Sequence, residues 1–319
     1  MKRKKIAPQI ERILDLIFGN PFITPTFDEY AMFMAYSSAL RSADLSRQVG
    51  AVITTKYKEI IATGANDVPF YGGGQYWPLD VKENDHWDSE GGRDYRIGFD
   101  PNKKEYANIV KEIVAPMSLN KLETESDMEY EKRLTETKKM IKKYILSSRI
   151  KELTEYGRSV HAEMAAMLSC ARTGASLQGA TLYCTTFPCH NCARHVIYSG
   201  IERVIFIEPY PKSKAFDLHK DSIFLDSISS GDDENREKRK KVIFQQFTGI
   251  GPRRFIDLFS MNLSTGRNIQ RKQEDGITAV TWNRNDASLR CHLDHYHCEK
   301  QEQVAATNYS DFCEFLDSS

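Results

Sequence analysis

A chain of 319 residues, 40% hydrophobic and 28% charged, has ordinary globular composition, which excludes collagen-like, coiled-coil and wholly disordered classes. Its length sets a prior of roughly two units, or one domain with large insertions. Forty-four Lys plus Arg balance 44 Asp plus Glu, so the basic excess usual in proteins that grip long nucleic acid is absent. No run of 18 apolar residues offers a membrane span.

In chain order, Lys2 to Lys5 form a basic start, followed by an apolar stripe at Ile10, Ile13, Leu14, Leu16, Ile17 and Phe18 with acids among it. That pattern predicts an amphipathic helix or arm over 1–26, not a secretion signal, and places the chain in the cytoplasm. Helical spacing over 28–43 follows a cap at Thr26. Residues 48–54 and 59–63 read as two strands joined by a turn at Tyr57-Lys58. A loop rich in Gly and aromatics runs from Asn66 to Trp77. The charged, helix-patterned stretch from Lys103 to Tyr156 carries a break near Pro116. A helix over 161–173 closes at Gly174, a strand covers 181–184, and a helix over 189–199 stops at Gly200. Strands follow at 204–207 and 242–247, and the charges from Asp232 to Lys241 read as a solvated loop or helix face. Helices alternating with short strands predict an α/β sandwich whose last strands run parallel. The predicted organisation is a main domain over 27–260, an insertion over 66–158, and a polar extension over 261–319.

Seven Cys, an odd number, argue against a disulfide framework, and in a reducing compartment clustered Cys points to metal or chemistry. Two segments supply the cluster: His161-Ala162-Glu163 and Pro188-Cys189-His190-Asn191-Cys192. One His and a Cys-x-x-Cys provide three ligands of the kind zinc prefers, leaving a fourth position for water. Cys189 and Cys192 fall in the first turn of a helix, where the dipole favours thiolates. Zinc lowers the pKa of its water to about 7. Two residues along a helix rotate the direction by about 200°, so Glu163 is expected to serve as proton carrier and not as ligand, with His161 at the helix start.

A His-x-Glu followed by Pro-Cys-x-x-Cys is the signature of zinc-dependent nucleobase deaminases. Residues 31–65 and 159–218 resemble the deoxycytidylate deaminase family, within the cytidine deaminase superfamily. The resemblance is carried by Arg47-Gln48-Val49-Gly50-Ala51-Val52-Ile53, Gly64-Ala65-Asn66-Asp67-Val68-Pro69, Thr181 to Cys189, and Gly200-Ile201-Glu202-Arg203-Val204-Ile205. It implies a three-layer α/β/α sandwich on a mixed five-stranded sheet, one catalytic zinc ion, and hydrolysis of dCMP or dCTP to the deoxyuridine nucleotide and ammonia. Asn66 aligns with the Asn that binds the substrate sugar, although Asp67 replaces the usual Gly. The runs Leu40 to Arg47, Asn66 to Trp77 and Pro211 to Lys214 look closer to bacterial members that defend against phage by draining deoxycytidine nucleotides. Those members commonly carry a P-loop kinase-like domain whose motif is missing here, so the chain is expected to be a stand-alone form or the deaminase portion alone. The resemblance also implies a homo-oligomer, and dCTP and dTTP as effectors acting through the loop after the second strand.

Weaker signals surround this centre. Lys212, Lys214, Arg253 and Arg254 are candidate phosphate donors, and Phe187 and Tyr210 candidate base contacts. Ala162 and Thr186, beside the ligands, are further candidate substrate contacts, and Arg47 reads only as the close of a helix end. Gly72, Gly73 and Gly74 suit either an effector loop or a plain flexible loop. Asp80, Glu83, Asp85, His86 and Asp88 would suit magnesium accompanying a nucleotide effector, or simply solvent. Cys291, His292, His295, His297 and Cys298 invite a second zinc without matching a standard spacing, while Cys170, Cys184 and Cys313 read as buried thiols. A deaminase of tRNA adenosine or single-stranded DNA would share the same site. So would a nucleotide sensor on the same fold, although an intact Glu163 argues against it.

Overall fold

The computed structural model describes residues 3–152, 154–226, 241–263 and 267–290. The chain divides into two compact units: Met1–Glu29 with Gly249–Ser319, and Tyr30–Thr248.

The unit Tyr30–Thr248 holds a six-stranded sheet in the order β2-β1-β3-β4-β6-β5. Its strands are β1 (Gly50–Thr54), β2 (Ile60–Ala65), β3 (Thr181–Thr186), β4 (Arg203–Glu208), β5 (Ile223–Asp226) and β6 (Val242–Gln246). β1 is antiparallel to β2 and β3, whereas β3 through β6 pair in parallel. The expected mixed sheet is therefore present, with six strands in place of five. The extra one, β5, is a four-residue edge strand too short to show a period of its own.

Glycines fix both faces of this sheet. A Cβ on Gly50 would lie 1.9 Å from the Ala35 carbonyl oxygen in helix α2 (Phe27–Ala39), and one on Gly64 would lie 2.2 Å from that of Ala162 in helix α6 (Ala162–Thr173). Gly64 pairs with Ala51, the residue after Gly50, and successive strand residues point to opposite faces. The two helices therefore cover opposite faces, which makes three layers. On the α6 face, Ala51, Leu182, Cys184, Val204 and Phe206 pack with Ala166, Ala193 and Val196 into the main core; the last two belong to α7 (His190–Tyr198). Helix α2 starts from a capping box: the Thr26 hydroxyl accepts from Glu29 N at 3.2 Å, and the Glu29 carboxylate accepts from Thr26 N at 2.7 Å.

The long insertion leaves the sheet at Asp67 and returns at Val160, and these two residues form an antiparallel bridge. Between them run α3 (Asp94–Ile97), α4 (Pro101–Val114) and α5 (Asp127–Ser147), the last two separated around Pro116. After β4 comes α8 (Ala215–Leu218), a single turn with no sequence signal.

In the other unit, α1 (Arg3–Ile17) and α9 (Phe255–Phe259) contribute Leu16 and Leu258, which pack with Ile250. Glu29 is a buried charge there: Arg12 donates to both carboxylate oxygens, at 2.9 and 2.7 Å, and Ile250 N donates at 2.8 Å. No helix among the described residues is long and apolar enough to cross a membrane.

Candidate active site

The parallel strands β3 and β4 end on one side of the sheet, the side where open α/β sheets form ligand crevices. Because β1 runs the other way, its start lies there too, with Gly50 N donating to the Thr185 hydroxyl at 3.1 Å. Two helices begin at the same edge. His161 is the residue before α6, in extended conformation, and its ring makes no cap hydrogen bond. Cys189 is the residue before α7, with its sulfur accepting from Cys192 N at 3.4 Å.

Two helix starts facing each other bring three side chains together. His161 Nδ1 lies 3.4 Å from Cys189 Sγ and 3.4 Å from Cys192 Sγ, and all three ligand atoms fall within 4.8 Å of one another. Zinc–nitrogen and zinc–sulfur bonds of about 2.1 and 2.3 Å set a tetrahedral N···S edge of about 3.6 Å, so these residues fit zinc in donor chemistry and in spacing. Hydrogen bonds from Cys192 and His161 bring the Cys189 thiol down to about 4, and the bond with Cys189 in turn pushes His161 up to about 9. A metal takes these donors deprotonated, so its binding would release protons and depend on pH. Glu163 is 4% exposed, and burial raises its pKa against the pull of the His161 charge. Cys184, expected only as a buried thiol, lies on β3 in contact with Glu163, and burial followed by that carboxylate drives its pKa upward.

His161, Glu163 and Cys189 line a cleft of about 430 Å³ together with Asn66, Ala162, Thr186, Phe187, Tyr210, Lys212 and Lys214. The Asn66 carboxamide clamps the start of β1, accepting from Val49 N at 2.6 Å and donating to Arg47 O at 2.8 Å. One further donor and one acceptor remain on it. Phe187 packs edge-on against Phe206 and tilted against Phe244, at 4.9 and 5.4 Å, which favours the core role over the base-stacking one. The Arg47 guanidinium lies over the Tyr210 ring at 5.7 Å, so Arg47 does more than close a helix. Lys214 pairs with Asp217 at 3.1 Å.

The remaining candidates lie elsewhere. Arg253 and Arg254 belong to the unit that contains Gly249–Ser319, and Arg254 pairs there with Asp257 at 3.3 Å. Gly72, Gly73 and Gly74 all have positive φ and form the tip between bridged Pro69 and Gln75, which supplies a conformational reason for three glycines. Asp88 is buried against Arg93 and Tyr95. Among the described residues, His161, Cys189 and Cys192 are the one group of three that gathers metal-ligand atoms, so nothing there supports magnesium at Asp80, Glu83, Asp85, His86 and Asp88. The run Asp232 to Lys240, the cluster from Cys291 to Cys298, and Cys313 fall outside the described residues.

One wall carried no motif at all. Asp44, Ser159, His190 and the insertion residues Asp94, Asp100, Asn102, Arg149, Thr154 and Arg158 also line the cleft. Of these, Asp44 and Ser159 fall within the stretches of family resemblance and His190 within the Cys-x-x-Cys segment; the six insertion residues carried no motif.

The model of the family described as cytidine and deoxycytidylate deaminase zinc-binding region matches residues 25–208, more than half of the 319. The chain belongs to this family. Deoxycytidylate deaminase of Enterobacteria phage T4 is 46% identical over 55 residues, covering 17% of this chain and 28% of that protein. Deoxycytidylate deaminase of Pongo abelii is 24% identical over 179 residues, covering 56% and 63%. The chain thus spans less than two thirds of the length of these relatives. A crystal structure of dCMP deaminase from cyanophage S-TIM5, in complex with dCMP and dUMP, matches 71% of this chain and 100% of that one at 15% identity and a TM-score of 0.35. In this member of the deaminase family, Asp67 is 1% exposed, with its carboxylate 3.4 Å from Arg93 Nε.

Proposed function

We propose that the chain releases ammonia from deoxycytidine nucleotides by zinc-dependent hydrolysis, with His161, Cys189 and Cys192 holding the metal and Glu163 carrying the proton. A single observation carries this reading: three zinc-type donors converge beside a buried carboxylate in a cleft large enough for a nucleotide. Zinc, when bound, supplies a Lewis acid able to activate water near neutral pH. Glu163 takes a proton from water, passes it to the cytosine ring nitrogen, and helps protonate the departing amine. Water's oxygen becomes the new carbonyl of uracil and the amino group leaves as ammonia, so atoms balance. A pKa raised by burial suits a group that must act as base and then as acid. Asn66 offers its spare donor and acceptor to the sugar, and Arg47 with Lys212 offers cations to phosphate.

Regulation by dCTP and dTTP through Gly72, Gly73 and Gly74, assembly into a homo-oligomer, and nucleotide depletion in antiviral defence rest on the family resemblance alone. One assay series tests the reaction and its regulation: dCMP and dCTP side by side on the zinc-loaded protein, each with and without dTTP, following ammonia and deoxyuridine nucleotide. Release from at least one substrate is expected. A chain with stoichiometric zinc that deaminates neither overturns the reading.

A further inference from the structure

Three successive residues lead into His161, and each is tied to a different wall of the cleft. Val160 bridges Asp67, directly after Asn66. The Ser159 hydroxyl donates to Asp44 Oδ2 at 3.2 Å, and Asp44 Oδ1 in turn accepts from Ser46 N and Arg47 N at 2.8 and 3.3 Å. Arg158 reaches the insertion: Nη1 donates to Asp94 Oδ1 at 3.2 Å, and Nη2 to Gly91 O and Gly92 O at 3.1 and 2.8 Å. The same short segment is gripped from its other side by Arg93, which lies 3.4 Å from Asp67, pairs with Asp88 at 3.3 Å and donates to Tyr76 O at 2.8 Å. Gly91 to Asp94 is thereby stapled to both ends of its own insertion, at Asp67 and at Arg158. Asp94 is 8% exposed yet lines the cleft, with Asp100 and Asn102 following in the next turns.

We propose that Arg158 is a positioning residue that holds the Gly91–Asp94 segment against the approach to His161, fixing the insertion-built wall of the cleft and so setting how tightly a nucleotide is held. This rests on the nucleotide-deaminase reading above. A guanidinium is suited to the task because its fixed fork serves a carboxylate and two carbonyls at once, whereas an ammonium on a flexible stem offers no such geometry. Without it, Asp94 keeps a partly buried charge with its partner removed, and the wall loses its link to the metal side of the cleft. The reacting atoms are left untouched, so the effect belongs in substrate affinity and not in the chemical step.

The test compares wild type with Arg158→Ala, Arg158→Lys, Asp94→Asn and the Arg158→Ala/Asp94→Asn double variant. It reads zinc content, kcat and KM for dCMP and dCTP, and backbone amide exchange over residues 91–98. Expected for Arg158→Ala is stoichiometric zinc, kcat kept within about threefold and KM raised on the order of tenfold, together with faster exchange at 91–98. Arg158→Lys should recover only part of the KM, and the double variant should show less than the product of the single effects. Unchanged KM with unchanged exchange overturns the proposal, as does a loss of zinc or kcat at unchanged KM, which would place Arg158 under His161 instead. Amide exchange needs no turnover, so an inactive wild type would sink the deaminase reading, while unaltered exchange in Arg158→Ala would sink this proposal by itself.

Discussion

Glu163 shows most directly how position sets role. Lying two residues from His161 on α6, it stays beside the ligand set, hydrogen-bonded to Cys192 and in contact with Cys184, and burial removes it from water. Glu163→Gln keeps the shape and removes the proton carrier, so zinc content and melting temperature should survive while turnover falls about 10²–10⁴-fold; near-normal rates in an ammonia assay would refute the assignment. Cys192→Ser exchanges a soft donor for a weak one and should abolish stoichiometric zinc, which metal analysis checks directly. Glu29 makes a different residue-level prediction. Its pKa is held below the ordinary carboxylate value, because the Arg12 pair and the amides of Ile250 and Thr26 outweigh the burial that raises it. A depressed folded pKa gives stability that is present above the unfolded value and is lost as pH falls through the folded one. Acid titration of the wild type should therefore show a falling limb below about pH 4.5 that is flatter in Glu29→Gln. At neutral pH that variant should lose about 3 kcal/mol, because Arg12 keeps a charge without its partner; identical acid limbs in the two proteins would refute this.

At the scale of elements, the zinc-type centre is a meeting of two helix starts, and two glycines decide how closely the helices approach. Gly64 lets α6 lie on β2, and Gly50 lets α2 lie on β1. Gly64→Ala puts a methyl group into the Ala162 backbone, one residue from His161. Denaturant unfolding should report a loss of about 1–3 kcal/mol accompanied by weaker zinc retention; full zinc affinity in a destabilised variant would show that the helix start is positioned by something else. Asp67 works in the opposite sense, since it adds a side chain and places a buried carboxylate beside Arg93, anchoring the insertion. Most elements could be read from local pattern, because capping at Thr26, stopping at Gly174 and Gly200, and the apolar runs of β1 and β3 act within a few residues. β5 and α8 could not, because four residues hold only two periods of a strand and about one turn of a helix, and both are held by neighbours distant in sequence.

For the molecule as a whole, ligand linkage gives a test independent of turnover. A nucleotide held in the cleft stabilises the folded state by about 2.7 kcal/mol at one hundred times its Kd, so dUMP or dCMP should raise the melting temperature while an equal concentration of inorganic phosphate shifts it less. No shift with either nucleotide would refute a nucleotide cleft. The sequence by itself determined the metal-type centre and the residue proposed as its proton carrier, since His-x-Glu and Cys-x-x-Cys are short patterns whose chemistry depends on spacing within one turn of helix. It determined the sandwich for the same reason, through periodicity. Only the tertiary structure decided that Asp94, Asp100, Asn102 and Arg158 share the cleft with that centre. Contacts of that kind join residues tens of positions apart, and no local periodicity or motif encodes them; they exist because the Asp67–Val160 bridge closes the insertion back onto the sheet.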